Sequence, residues 1–209
     1  MPARKVVTRR GRRFRGYFPS RKLGRMVAWE SLLERDAILL LEFSSGVVSY
    51  REQPVLIEYF DGQQIRGYYP DFEADLTDGD VLHVEVKASF QLAKPKIESK
   101  FRVIAADYRR RQHDFRIITE AEIRREPMHS NLKNLARYSR HCETLESTRR
   151  QISFLLKDGA LPMNALGLDD ACIWRLLACG YLHCNLAAPI MATTLLSLQG
   201  GGDDAALLF

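Results

Sequence analysis

Two short stretches of this chain place acids beside a lysine in a spacing that suits phosphodiester hydrolysis. They are Pro70-Asp71 and, fourteen residues further on, Glu85-Val86-Lys87 at the end of an apolar run. Cutting a phosphodiester needs a hard cation to polarise a phosphoryl oxygen, a prepared water and relief for developing negative charge. Carboxylates hold the cation, and a neighbouring ammonium serves the other two needs. Side chains alternate across a strand, so an extended Glu85-Val86-Lys87 puts the acid and the amine on one face and Val86 in the opposite core. The main-chain carbonyl of Val86 is a further candidate oxygen ligand.

The elements that must position these residues are legible from periodicity. Met26–Phe43 reads as an amphipathic helix, with Trp29, Leu32, Leu33, Ala37, Leu40 and Leu41 on one face and Glu30 and Glu34 sharing another. Extended runs follow at Val47–Tyr50, Pro54–Phe60 and Gln63–Tyr69, the last two joined by Asp61-Gly62, a strong hairpin signal. Phe72–Leu76 and Val81–Val86 are the next strands, the second having the unbroken apolar character of a central one. Lys94–Gln112 has helical spacing and a basic end, and Phe115–Thr119 is again strand-like, which makes a βαβ unit. An α/β domain is therefore expected over 26–126, a mixed sheet flanked by helices.

Beyond Glu126-Pro127 the pattern becomes mainly helical. Leu132–Tyr138, Glu143–Leu156 and a helix capped by Asp169-Asp170 and ended by Gly180 are expected, with Tyr181–Asn185 and Met191–Leu196 as a small hairpin. Helix, short helix, helix, hairpin is the order of a winged helix, so 127–199 is read as a second, small domain and 200–209 as a glycine-rich flexible tail.

Charge is segregated along the chain. Residues 1–25 hold ten Lys or Arg and no acid, residues 26–101 hold seven basic against fourteen acidic, and the formal net charge is +5. The first stretch reads as a basic arm for DNA phosphates, with Arg9, Arg10, Arg12, Arg13, Arg15, Arg21 and Lys22 as the contacting residues and Phe14, Tyr17 and Phe18 as anchors. The last 59 residues carry only Lys157 and Arg175 as formal cations. That is too few for a grip on phosphates, so protein docking is the expected task of the second domain. No run of about 18 apolar residues occurs and the first residues lack the core of a signal peptide, so a cytoplasmic protein without a membrane role is expected. Cys142, Cys172, Cys179 and Cys184 lack paired spacing and are read as reduced thiols.

Pro70-Asp71 with Glu85-Val86-Lys87 resembles the P-D…(D/E)-x-K signature of the restriction-endonuclease-like nuclease superfamily. Trp29-Glu30-Ser31-Leu32-Leu33-Glu34-Arg35-Asp36, Leu40-Leu41-Glu42-Phe43 and Val48-Ser49-Tyr50-Arg51-Glu52-Gln53-Pro54 narrow the resemblance to the amino-terminal catalytic domain of the TnsA family, over about residues 14–125. The resemblance implies a catalytic set of Glu34, Asp71, Glu85 and Lys87, with Glu85 at a position some members fill with Gln. It implies Mg²⁺, with Mn²⁺ as a substitute, held by Glu34, Asp71, Glu85 and the Val86 carbonyl. It also implies cleavage of the 5′ strands at transposon ends, alongside a TnsB-like DDE transposase and a TnsC-like AAA+ ATPase. Two other functions fit the same residues: a stand-alone restriction or repair nuclease of the superfamily, and a non-catalytic DNA-binding scaffold.

Glu42 and Glu52 are expected to pair with Arg35 or Arg51, and Glu73, Asp75, Asp78 and Asp80 to be exposed loop charge. Gln53 either orients the site or pairs with backbone, and His83 is expected to be structural.

Overall fold

A computed structural model describes residues 14–139 and 146–199. The described residues divide into two compact units, one of residues 14–42 and 46–124 and the other of 43–45, 125–139 and 146–199. Among the described residues no helix is long and apolar enough to cross a membrane.

The first unit opens with an antiparallel hairpin, β1 (Gly16–Ser20) and β2 (Arg25–Trp29), in the register Gly16↔Trp29 to Ser20↔Arg25. The basic arm expected to run to residue 25 is thus folded from Gly16 onward, and the helix expected from Met26 starts only at α1 (Leu32–Phe43). Two local causes account for this. Val27 is fully buried as a strand residue, and a Cβ at Gly16 would lie 2.5 Å from Trp29 Cζ2, so glycine is what lets the indole lie across the hairpin. The helix then starts where Ser31 Oγ accepts from the Glu34 amide at 3.1 Å, a helix cap no earlier residue supplies.

Acids drawn from the acidic middle of the sequence hold the hairpin down. Arg25 makes a bidentate pair with Glu52 at 2.9 and 2.7 Å. Glu42, buried, accepts from Ser20 Oγ at 2.6 Å, Tyr50 Oη at 2.7 Å and the amides of Arg21 and Lys22 at 2.8 and 3.0 Å. Arg35 pairs instead with Asp36, and Arg51 with Glu73, so the expected partners of Glu42 and Glu52 are corrected. Ion pairs are set by which strands meet, not by sequence proximity. Glu42→Ala is expected to cost about 3–5 kcal/mol, because four donors lose one acceptor in a place water does not reach. A urea unfolding midpoint reads it, with Glu42→Gln falling less.

The central sheet has the order β3 (Val47–Glu52), β6 (Phe72–Leu76), β7 (Val81–Val86), β8 (Asp114–Ile118), antiparallel except for the parallel β7–β8 pair. The parallel pair is bridged by α2 (Ser89–Leu92) and α3 (Pro95–Arg110), as a βαβ crossover requires. Val84 and Val86 of β7 are buried with Phe72 and Ala74 of β6. On the other face Tyr108 of α3 stacks on Phe115 at 4.7 Å, and Tyr68 meets Phe101 edge to face at 6.2 Å. Helices thus flank a mixed sheet, as in the restriction-endonuclease-like fold. Strands β4 (Ile57–Phe60) and β5 (Ile65–Tyr68) form a separate hairpin around Asp61-Gly62, Gly62 taking φ 100° and the Asp61 carboxylate accepting from the Gln63 and Gln64 amides at 2.9 Å.

The second unit holds α4's successors: α4 (Glu120–Ile123) closes the first unit, then α5 (Met128–Tyr138), α6 (Glu146–Leu155), a 3₁₀ turn (Met163–Leu166) and α7 (Asp170–Ala178) follow. Asp169 caps α7 through the Cys172 amide at 2.7 Å, and Tyr138 stacks on Trp174 at 6.3 Å. The expected hairpin is corrected: β10 (Leu195–Leu196) pairs with β9 (Leu161–Pro162), and the Tyr181–Asn185 segment contributes one bridge, His183↔Ser197. Pro189 falls in the connection between the segments expected to pair, and the apolar Leu161 lies closer to Leu196 than the sequence order implied. Cys172 and Cys184 stand outside any disulfide, but Cys179 is disulfide-bonded, so the expectation of reduced thiols fails there.

Candidate active site

Strand register brings the two sequence stretches together. Phe72 pairs with Val84, and carrying that antiparallel register one residue on sets Asp71 opposite Glu85. The contact is explicit: the Val86 amide donates to Asp71 Oδ2 at 2.8 Å. The Gln53 amide donates to the Asp71 carbonyl at 2.9 Å, with Gln53 buried at φ 42°, a conformation a side-chain-bearing residue keeps only where its surroundings hold it. On the β8 side the Lys87 amide donates to the Ile118 carbonyl at 3.1 Å. Both ends of the Glu85-Val86-Lys87 triplet are thereby pinned.

These residues open onto a cleft of about 340 Å³ lined by Glu30, Glu34, Gln53, Asp71, Glu85 and Lys87, with Tyr68 and Lys100 at its side. Glu85 is 4% exposed; its Oε1 meets Lys87 Nζ at 2.9 Å and its Oε2 accepts from Tyr68 Oη at 2.7 Å. Glu34, in the first turn of α1, accepts from the Glu30 amide at 2.7 Å and Ser31 Oγ at 3.0 Å. Glu30, expected on the helix, precedes it, and its Oε2 lies 3.5 Å from Gln53 Nε2. Val86 meets a site carboxylate through its amide, whereas its carbonyl was the atom proposed from sequence.

Electrostatics follow from this crowding. Burial and then the charges of Glu85 and Glu34 push the Asp71 carboxyl well above the ordinary aspartate range, although Lys87 and the Val86 amide pull the other way. Glu34 is also pushed up, first by burial, against the hydrogen bonds from Glu30 and Ser31. For Lys87, burial acts downward, but the Glu85 carboxylate and its hydrogen bond outweigh it and the amine is held above its ordinary value. It is therefore an ammonium at neutral pH.

Among the described residues no three Asp, Glu, His or Cys side chains converge as a ready-made cage for a metal ion. Glu34 is turned back onto its own helix start and Glu85 onto Tyr68 and Lys87, each satisfied by nearby donors. The donor set nonetheless fits a hard divalent cation. Four carboxylates, those of Glu30, Glu34, Asp71 and Glu85, line one cleft, burial and then the charges of Glu85 and Glu34 raise Asp71, and a cation or a proton relieves that crowding.

The other sequence candidates disperse. Arg9, Arg10, Arg12 and Arg13 lie outside the described residues. Arg15 is half-buried ahead of β1, and the Arg21 amide is held by Glu42. Lys22 turns its ammonium inward to the carbonyls of Leu41 at 2.9 Å and Val47 at 2.5 Å, and burial pulls it down to about 8 despite Glu42. In this arrangement its charge serves the hairpin, and is not presented to a phosphate. Glu73, expected to be exposed loop charge, is buried on β6 between Arg51 and His83 Nε2, the latter at 2.8 Å. Tyr68 and Lys100 were not singled out from sequence. The available signals were Tyr68's place two residues before Pro70-Asp71 and the Lys96/Lys100 spacing on the next helix.

Residues 44–120 match the family described as TnsA-like endonuclease N terminal. No curated protein matches the chain. The matched stretch runs from the start of β3 through β8 and so contains Asp71, Glu85 and Lys87, while Glu34 lies before it. Over that stretch, with its mixed sheet and acid-lined cleft, the chain is similar to the TnsA-like endonuclease N-terminal domain.

Proposed function

We propose that this chain is a divalent-metal-dependent DNA endonuclease that cuts the 5′ strands at transposon ends, beside a DDE transposase that cuts the 3′ strands and an AAA+ ATPase that regulates both. The observation that carries the reading is the Asp71–Glu85 juxtaposition with Lys87 on the same cleft, within the stretch that matches the family. Glu34, Asp71 and Glu85 would hold Mg²⁺ or Mn²⁺, with the Val86 carbonyl as a further oxygen donor. When bound, such an ion polarises a phosphoryl oxygen and lowers the pKa of a water.

The chain's own residues do the rest. Lys87, an ammonium two residues from Glu85 on the same face, orients the attacking water and offsets charge on the phosphate as it builds. Tyr68 fixes the Glu85 carboxylate by donating to it, and Gln53 fixes the Asp71 backbone. In-line attack leaves a 5′-phosphate and a 3′-hydroxyl. The second unit, poor in cations, is assigned to docking a protein partner, and the protein works in the cytoplasm.

End-labelled transposon-end DNA, incubated with the chain, its transposase and its ATPase in Mg²⁺, tests this. Cuts confined to the 5′ strands, lost in chelator and restored by Mn²⁺, are expected. Sequence-selective cutting by the purified chain alone would instead make it a restriction-type nuclease, and no cut under any condition would make it a scaffold.

A further inference from the structure

A second cleft, of about 450 Å³, adjoins the first between the β4–β5 hairpin and the first turns of α3. The two share Gly67 and Lys100 as lining residues. Their charge is opposite. The first cleft sets Glu30, Glu34, Asp71 and Glu85 against Lys87 and Lys100. The second sets Arg66, Lys96 and Lys100 against Asp61 alone. Asp61 is already engaged, pairing with Arg66 and accepting the two turn amides of its own hairpin.

The two lysines are differently placed from ordinary surface lysines. Four residues apart on α3, they share one helix face. Lys100 Nζ lies 5.2 Å from the centre of the Tyr68 ring and 5.3 Å from that of Phe101, so ring faces hold it at the seam of the two clefts without neutralising it. Among the described residues no carboxylate pairs with Lys96 or Lys100. Ser99 adds a hydroxyl on the same wall. An acid-lined cleft repels phosphates, so a strand presented to it needs cations on the approach.

We propose that this second cleft seats the phosphate backbone of the DNA strand being cut, with Lys100 at the phosphate next to the scissile one and Lys96 on the phosphate beyond. The proposal rests on the nuclease reading of the first cleft and adds the path of its substrate. It also accounts for phosphate contact without Lys22, whose ammonium is turned into the hairpin.

The test uses the full chain and a fluorescein-labelled DNA duplex in Ca²⁺, with affinity measured by anisotropy over a salt series. Each lysine–phosphate contact contributes about one to the slope of log K against log [salt]. Lys96→Ala/Lys100→Ala is expected to reduce the magnitude of that slope by about two, and Lys96→Arg/Lys100→Arg to keep it. Arg102→Ala/Arg109→Ala removes the same charge from α3 outside the cleft and is expected to leave the slope unchanged. An unaltered slope in the lysine double variant, or an equal fall in the arginine one, overturns the proposal. Strand cleavage by Asp71→Asn, assayed separately, reports on the nuclease reading and is independent of these slopes.

Discussion

Asp71→Asn is expected to lower metal-dependent strand cleavage by at least about 10³-fold and, at neutral pH, to raise the unfolding midpoint of the metal-free protein. The first effect follows from losing one of three anionic oxygen donors where a Lewis acid contributes several kcal/mol to the barrier, at about 1.4 kcal/mol per factor of ten. The second follows from the same carboxylate's surroundings. Burial and the charges of Glu85 and Glu34 hold the Asp71 carboxyl well above its unfolded value, so the folded chain binds that proton more tightly than the unfolded one. Stability is therefore lost as pH rises from the unfolded pKa through the folded one. Asn cannot ionise, and its amide oxygen still accepts from the Val86 amide. The midpoints of wild type and variant should coincide in acid, below the ordinary aspartate range, and separate as pH rises. Undiminished cleavage would remove Asp71 from the reaction; midpoints that keep a constant separation would show that the folded chain does not hold the Asp71 proton more tightly than the unfolded one.

Lys87→Met should cut the cleavage rate at saturating DNA by about 10²–10³-fold, the usual loss when one preorganised donor to developing charge is removed. DNA affinity should stay within about threefold, because one phosphate contact among several is at stake. Protonation state sets the role open to this amine. Against the downward effect of burial, Glu85 keeps the amine charged, so the role proposed for it is that of a donor and a positive charge, not of a base. Methionine retains the length of the side chain, which lies over the Phe101 ring with Nζ 5.8 Å from its centre, and so loses the charge more than the packing. A merely structural lysine would lower the unfolding midpoint and leave the rate per folded molecule intact. Full-rate cleavage by the folded variant would strip Lys87 of its role.

How much of this was readable before the fold is clearest at β6 and β7. Their bounds, Phe72–Leu76 and Val81–Val86, coincide with the expected extended runs, β6 through the alternation of Phe72, Ala74 and Leu76 and β7 through its near-continuous apolar character. Alternation within β7 likewise separated Glu85 and Lys87 from Val86. The first forty residues were harder. Ten basic residues without an acid suggested an arm, yet three of them, Arg21, Lys22 and Arg25, are folded into a hairpin by Glu42 and Glu52, which lie about twenty to twenty-seven residues further along. The helix expected from Met26 loses its first turn and more to β2, since pairing with β1 buries Val27 and Ala28 better than a helix start would.

By itself the sequence determined the order of elements from β3 to β8, the acids and lysine of the cleft, and the resemblance of the matched stretch, all properties carried by local period and by short spacing. The tertiary structure decided everything that depends on meeting across distance: Asp71 opposite Glu85 through the β6–β7 register, Tyr68 as the holder of Glu85, and the basic cleft beside the acidic one. The physical reason is range. Backbone preference and amphipathic period act within a turn or a strand, whereas a carboxylate's partner, its burial and therefore its charge are fixed only when strands remote in the chain come into hydrogen-bonding register.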